Sequence, residues 1–230
     1  KAKKNASKAL ILAKKSADNV AIAQSNEILG IVSKERFDYT NAIEFLLWGQ
    51  DLSASTAGTR PYTEYVTGGG GTAAKQDRRA TYLGICADLL VQALDQVKTA
   101  WDPSALNNNY RTTWLAMDNK TALRKMFNSI RVMAGEELSG ERMYTAYDNQ
   151  DQEDEHSCFS DNTHRDIYLN AKGVQNHYLG KYTRINGEEL VGASIHDLLV
   201  KEGKPELANE LRAAFETSMA SASVLLFLNS

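Results

Sequence analysis

One apolar stripe, unbroken by proline, runs through the middle of the sequence. Between residues 72 and 101, apolar side chains recur at intervals of three and four residues, as on one face of an α-helix: Tyr82, Ile85, Leu89, Ala93, Val97 and Trp101. The chain of 230 residues has only three prolines, and no segment shows the sustained apolar–polar alternation of a half-buried strand. The sequence therefore predicts an all-α protein, built as one antiparallel helical bundle or as two bundles that share an interface.

The same periodicity, together with polar caps and breakers, divides the rest of the chain into helices. Besides the stripe, helices are predicted over residues 3–33, 38–51, 110–147 with a break at 118–121, 151–169, 194–201 and 205–228. Residues 53–71 are rich in Ser, Thr, Gly and Pro and end in four glycines, which indicates a flexible tether. We predict two parts: residues 1–71, with the N-terminal helices and this loop as an incomplete first bundle, and residues 72–230, a C-terminal bundle.

Charge and composition limit the classes of partner. Lysine and arginine number 26 and aspartate and glutamate 29, so the net charge is -3 and no general cationic surface for nucleic acid is expected. The longest apolar runs are far shorter than the ~20 residues of a membrane-spanning helix, so no such helix is predicted. Cys86 and Cys158 are the only thiols. A disulfide between them and two buried free thiols both stay open.

The most polar stretch covers residues 151–166 and reads DQEDEHSCFSDNTHRD, with two of the four histidines of the chain. If this stretch is helical, steps of three and four residues place Glu153, His156, Ser160 and His164 on one face. The spacing Glu153-x-x-His156 is the one that di-iron carboxylate bundles use, although this chain has only one clear copy. The stretch is interpreted as a buried polar network or binding site, with a solvated helix start as the alternative.

Two further places combine charged and apolar residues. On the segment around Glu137, the side chain of Arg142 could pair with a carboxylate of another helix, or both could belong to an exposed salt-bridged face. Glu44 lies in a helix that ends in apolar residues, so it either reaches solvent at an edge or is held inside by an arginine partner, for which Arg60, Arg78 and Arg79 are the candidates.

Five motifs, in this order, resemble the imelysin family of bacterial cell-envelope proteins: residues 41–52 (NAIEFLLWGQDL), 58–63 (GTRPYT), 78–83 (RRxxYL), 137–143 (ELxGERM) and 152–166 (QEDEHSCFSDNTHRD). The last motif is long enough to be highly specific. The resemblance implies an all-helical fold of two related bundles, a location in the periplasm or outer membrane, often with a lipid anchor in the precursor, and a role in iron uptake.

The imelysin family is also classed with the metallopeptidases, through a Gly-x-His-x-x-Glu motif. In this chain Glu44 aligns with the glutamate, but Asn41 stands where the histidine would be and Tyr39 where the glycine would be. Because asparagine is a poorer ligand for zinc or iron than imidazole, we expect no peptidase chemistry at this motif. Family members usually carry a helical region before the motif and a further C-terminal helix, so the chain is expected to be a short member or part of a longer protein.

The resemblance and the polar residues together predict a metal ion, or a small metal-bearing ligand, at a polar site between helices. Iron or zinc is the expected metal, and an envelope protein is a further expected partner. The predicted metal ligands are Glu44, Glu153, His156 and His164. The predicted ligand-binding residues are Asn41, Glu44, Arg60, Glu137, Arg142, Asp161 and Arg165. A metal-dependent peptidase with Glu44 as ligand or base, and a non-catalytic protein-binding helical module, are the alternatives.

Overall fold

The computed structural model describes residues 39–53 and 56–228, and the side chains of residues 226–228 are outside the description. The predicted helix over residues 3–33 lies outside the described residues. In the described part, the secondary structure is helical apart from one two-stranded sheet, so the all-α prediction is confirmed. Contacts divide the chain into two compact units. The described residues of the first are 39–46 and 62–122, and those of the second are 47–53, 56–61 and 123–228. The predicted boundary at residue 71 stays a prediction.

The described chain starts with helix α1 over residues 39–48, and a 3-10 helix covers Tyr62–Tyr65. Next come α2 (Gln76–Trp101), α3 (Asn109–Leu115), α4 (Asn119–Arg131), a π-helix (Val132–Tyr144) and α5 (Thr145–Asn149). A second 3-10 helix (Gln152–Asp154), α6 (Thr163–Leu179), β1 (Lys181–Thr183), β2 (Glu189–Val191), α7 (Ile195–Lys201) and α8 (Pro205–Leu228) complete it.

In the first unit, α2 forms along the apolar stripe and packs against α3. The helix begins at Gln76 because Lys75 has a left-handed backbone, with φ of 59°. It ends at Trp101, since Asp102 precedes a proline and is extended. Trp101 packs edge to face on Tyr110, with ring centroids 4.6 Å apart. The two cysteines are both free thiols, Cys86 buried on α2 and Cys158 half-buried.

The core of the second unit lies where α6 meets α8 and the π-helix. Tyr178 on α6 is buried and donates a hydrogen bond from its hydroxyl to the carbonyl of Ala208, at 2.9 Å. Its ring packs on Phe215, at 4.9 Å between centroids. Leu138, Val174 and Ile195 are buried in the same unit. These contacts fix α6, which carries part of the polar cluster described below.

After α6 the chain turns through a short exposed hairpin of β1 and β2. Gly180 ends α6 with φ of 60°, and a Cβ there would lie 2.7 Å from the carbonyl oxygen of Ala193. The carbonyl of Gly180 accepts a hydrogen bond from Gly192 N–H at 2.8 Å, so the two ends of the hairpin are held together. No helix in the described part of the chain has both the length and the apolar character needed to cross a membrane.

The predicted break near residue 118 is confirmed, since α3 ends at Leu115 and α4 begins at Asn119. Asp118 caps α4, because its Oδ1 accepts a hydrogen bond from Thr121 N–H at 3.0 Å. The π-helix was not expected from the sequence. It closes hydrogen bonds between residues five apart. This register lets Glu137 and Arg142 form an ion pair of 3.5 Å, although they are five residues apart.

The predicted helix over residues 151–169 is wrong at both ends: a short 3-10 helix and a run of turns precede Thr163, where α6 starts, and α6 continues to Leu179. Polar side chains bond to the backbone here and compete with a helix. Asp151 Oδ1 accepts from Glu153 N–H at 3.0 Å, and Thr163 Oγ1 accepts from Ser157 N–H at 3.1 Å. Asp161 has a left-handed φ of 56°. The expected helical face of Glu153, His156, Ser160 and His164 therefore does not form.

Candidate functional site

A polar cluster in the second unit joins His156 and Ser157 to the carboxylate of Asp166. His156 Nδ1 lies 2.8 Å from Asp166 Oδ2, and the Ser157 hydroxyl donates a hydrogen bond to the same oxygen. The exposed fractions of the His156 and Asp166 side chains are 22% and 23%. One carboxylate oxygen therefore holds two side chains at the edge of the core, where water reaches them only in part.

The turn before α6 brings these side chains together. The backbone closes on itself, because Asn162 N–H donates to the carbonyl of Ser157 at 3.2 Å, while Thr163 accepts from Ser157 N–H. Asp166 follows in the first turn of α6, and its N–H donates to the carbonyl of Asn162 at 3.3 Å. The positive end of the helix dipole favours a negative charge at that position.

Asp166 is ionised at neutral pH in these surroundings. Burial alone favours the neutral acid, but the hydrogen bonds from His156 and Ser157, and the electrostatic effects of His156 and Arg142, outweigh it. They hold the pKa of Asp166 below its usual value. Because an ionised carboxylate only accepts hydrogen bonds, Nδ1 of His156 carries the proton in the bond to Asp166.

The order of contacts differs from that of a serine hydrolase triad. In a triad the imidazole lies between the carboxylate and the nucleophilic hydroxyl and takes the proton of that hydroxyl. Here Ser157 and His156 both bond to Asp166, so this arrangement does not use His156 as the base for Ser157. An imidazole held by a carboxylate is instead the arrangement found behind many metal-ligating histidines.

The π-helix contributes a positive charge to this cluster. It packs against α6, and the charge of Arg142 lowers the pKa of Asp166. Arg142 also pairs with Glu137 through Nη2 and Oε2, 3.5 Å apart. The arginine therefore acts on two carboxylates that belong to different helices of the second unit.

A loop of the second unit, described over residues 49–53 and 56–61, bonds to the segment that precedes His156. Gln50 Nε2 donates to Glu153 Oε1 at 3.2 Å. Asp51, which is buried, accepts a hydrogen bond from the side-chain amide of Gln152. Two side chains of this loop, Gln50 and Asp51, therefore contact the polar segment before His156.

The structure brings together some of the residues that the sequence singles out. Glu137 and Arg142 form the ion pair on the π-helix, and His156 lies in the carboxylate cluster. Glu153 is exposed and accepts its hydrogen bond from the loop. Arg60 is half-buried at the end of that loop, and its Cβ would lie 3.2 Å from a Cβ placed on Gly49.

The remaining predicted residues lie on α1, in the turn before α6 and in the first turn of α6. Asn41 and Glu44 are half-buried on α1 and belong to the first unit. Asp161 occupies the left-handed turn before α6. His164 is half-buried and Arg165 exposed in the first turn of α6. The roles of these five residues in ligand binding stay predictions.

Sequence reasoning missed Asp166, Ser157 and Asp51 as members of the site. A signal for Asp166 was present, because an Asp-Asn-Thr run is typical of a helix start, and an acid three residues later falls in the first turn. Asp51 gave no comparable signal, since its contact with Gln152 joins residues 101 positions apart.

The donor chemistry of the cluster partly fits a metal ion. Imidazole and carboxylate groups suit iron and zinc, and His156 and Asp166 bring one of each. Among residues 39–53 and 56–228, however, no three or more His, Cys, Asp or Glu side chains are grouped so that they could hold a metal ion. Metal binding therefore stays a prediction.

Comparison with known proteins identifies the family. No curated protein matches the sequence at a significant level. The family model described as Imelysin matches residues 9–226, which is almost the whole chain. The helical fold and the five motifs agree with that match. The chain belongs to the imelysin family.

Proposed function

We propose that this imelysin-family chain is a binding protein of the bacterial cell envelope, in the periplasm or at the outer membrane, with a role in iron uptake. It holds iron, or a small iron-bearing ligand, through a site that includes His156. The observation that carries this proposal is the bond of 2.8 Å between His156 Nδ1 and the Asp166 carboxylate.

This bond prepares an imidazole for a metal. When Nδ1–H donates to the ionised carboxylate, the neutral ring has its lone pair on Nε2, which is the form that coordinates metal ions. The carboxylate also fixes the orientation of the ring. Ser157 holds Asp166 Oδ2 from a second direction, so the carboxylate itself is restrained.

Binding is supported over peptide hydrolysis by two features of the chain. Asn41 stands where the family motif has its histidine, and asparagine is a weak ligand for zinc or iron. Ser157 donates to Asp166 and not to the imidazole, so the cluster has no activated hydroxyl of the triad kind.

The test is titration of the purified chain with Fe(II), Fe(III) and Zn(II), in which isothermal calorimetry measures the affinity for each ion. We expect the parent to bind iron and the His156→Gln variant to lose at least about 10-fold in affinity, the scale on which loss of metal-site residues acts. His177→Gln is the matched control, because His177 is exposed near the C-terminal end of α6. The proposal fails if the parent binds none of the ions, or if both variants lose affinity equally.

A further inference from the structure

The turns that carry His156 are not held by a repeating backbone pattern. Residues 155–161 lie between the short 3-10 helix and α6, and none of them is in a regular helix. Within a helix, each residue is placed by bonds to its own helix. These turns have fewer such bonds of their own, so contacts from other parts of the second unit can influence the position of His156.

The loop of residues 49–53 and 56–61 contacts the chain on both sides of His156. Before it, the Asp51 carboxylate accepts from the side-chain amide of Gln152. After it, Gly58 N–H donates to the carbonyl of Phe159 at 2.9 Å. The bond from Gln50 to Glu153 adds a third contact. Asp166, which follows these turns on α6, accepts hydrogen bonds from His156 and Ser157.

Asp51 is suited to anchor the loop because its carboxylate is buried. Only 9% of the residue is exposed. It accepts one hydrogen bond from Ser53 N–H at 2.9 Å and one from Gln152. A buried carboxylate is costly unless it is bonded in this way, so the hydrogen bond from Gln152 stabilises the contact between the loop and the segment before His156.

Gly58 is suited to the other contact because the loop closes tightly at its base. Arg60 N–H donates to the carbonyl of Trp48 at 2.8 Å. A Cβ on Gly58 would lie 2.5 Å from the same carbonyl oxygen, so a side chain there would push the loop open. Only glycine lets the backbone of residue 58 reach Phe159 from this closed loop.

We infer that the loop of residues 49–53 and 56–61 positions His156 against Asp166, with Asp51 and Gly58 as its positioning residues. The contacts on either side of His156 set the distance from its Nδ1 to the carboxylate. The inference deepens the proposed function, on which its consequence for metal binding rests. The geometry of His156 itself is a separate quantity that is measurable without metal.

The experiment measures the imidazole ¹⁵N and ¹H signals of metal-free protein by NMR, with His156 assigned from the His156→Gln spectrum. In the parent we expect the tautomer protonated at Nδ1. Asp51→Ala should shift the His156 signals towards a mixture of tautomers, while Asp51→Asn, which keeps an acceptor oxygen, should retain most of the parent signal. Asp197→Ala, on the exposed surface of α7, is the matched control and should change nothing.

A second variant guards against loss of the fold. Gln152→Ala removes the partner of Asp51 from a half-buried position, and it should shift the same signals. Unchanged His156 signals in whichever of these two variants remains folded overturn the inference.

The metal titration is then repeated with Asp51→Ala. This variant should lose about 10-fold or more in affinity, as variants of residues that support metal ligands do. If the variants shift the His156 signals but the parent binds no metal, the proposed function is contradicted, and the positioning role of the loop is still supported.

Discussion

At the scale of single residues, the Asp166 carboxylate decides how the polar cluster is held. One of its oxygens accepts from both His156 and Ser157, and Arg142 adds a favourable charge. Hydrogen bonds to an ionised carboxylate are stronger than hydrogen bonds between two neutral groups. The cluster therefore depends on the ionised form of one acid, and this dependence is measurable.

Asp166→Asn should lower the free energy of unfolding at pH 7 by about 1–3 kcal/mol, the usual range for a hydrogen-bonded charged group. The pKa of Asp166 is lowered in the folded state. Its contribution is therefore complete above the unfolded pKa of about 3.9 and is lost as pH falls through the lower folded value. Urea unfolding of both proteins from pH 7 into the acid range checks this.

The control for this variant is Asp95→Asn, since Asp95 is exposed on α2. It should change the stability by less than about 0.5 kcal/mol, as surface substitutions usually do. An Asp166→Asn difference that stays constant as the pH falls contradicts the assignment of the effect to the carboxylate charge.

Gly58→Ala should destabilise the second unit by about 1–3 kcal/mol, because the new Cβ overpacks the base of the loop. The Cβ would lie 2.5 Å from the carbonyl oxygen of Trp48. Gly84→Ala is the opposite case, since Gly84 is in α2 and nothing lies within 4 Å of its Cβ position. It should stabilise the chain by about 0.5–1 kcal/mol. Thermal unfolding of both variants tests the contrast, and equal signs would contradict it.

At the scale of elements, the π-helix and α6 are coupled through charge as well as packing. Arg142 on the π-helix acts on Asp166 in the first turn of α6. The same arginine reaches Glu137 only because the π-helix places residues five apart on one side. The hydrogen-bond register of the π-helix therefore determines which carboxylates Arg142 can pair with.

Arg142→Met should raise the folded-state pKa of Asp166, so that the stability contributed by this carboxylate becomes smaller and is completely lost at a higher pH. The effect should shrink in the Asp166→Asn background, which a double-mutant cycle of unfolding free energies measures. Glu137→Gln is the comparison and should cost at most about 1 kcal/mol, because its ion pair is partly exposed. Equal effects of Arg142→Met in both backgrounds would argue against the coupling.

At the scale of the whole molecule, the sequence was informative where periodicity and helix breakers agree. α2, α7 and α8 form close to their predicted bounds, because a long apolar stripe or a proline at the first turn leaves few alternatives. The π-helix was not predicted, since helix propensity and helix breakers do not specify whether the hydrogen bonds join residues four or five apart.

The candidate site was predicted less well than the fold. Spacings of three and four among polar residues suggested a helix through His156, but side-chain bonds to the backbone replaced it with turns. The position of Asp166 in the first turn of α6 could have been predicted from the local sequence. The loop contact from Asp51 was not, since a tertiary contact between distant residues leaves no mark on local pattern.

Iron binding should raise the thermal stability of the whole chain by mass action. At a free iron concentration 100 times the Kd, the folded state gains about 2.7 kcal/mol, which for a chain of this size corresponds to roughly 5–10 °C in Tm. Differential scanning calorimetry with and without iron measures the shift. His156→Gln should abolish most of it, and an undiminished shift in that variant would place the metal elsewhere.

The hairpin after α6 offers an attachment point for a reporter. Its ends are held by the Gly192–Gly180 bond, and Ile185 at its tip is fully exposed. Because extra length in a closed surface loop adds little to the entropy cost of closing it, a short peptide tag placed at residues 185–187 should leave the fold intact. An engineered label there would allow the proposed ligand binding at His156 to be tested in the intact chain without altering the polar cluster.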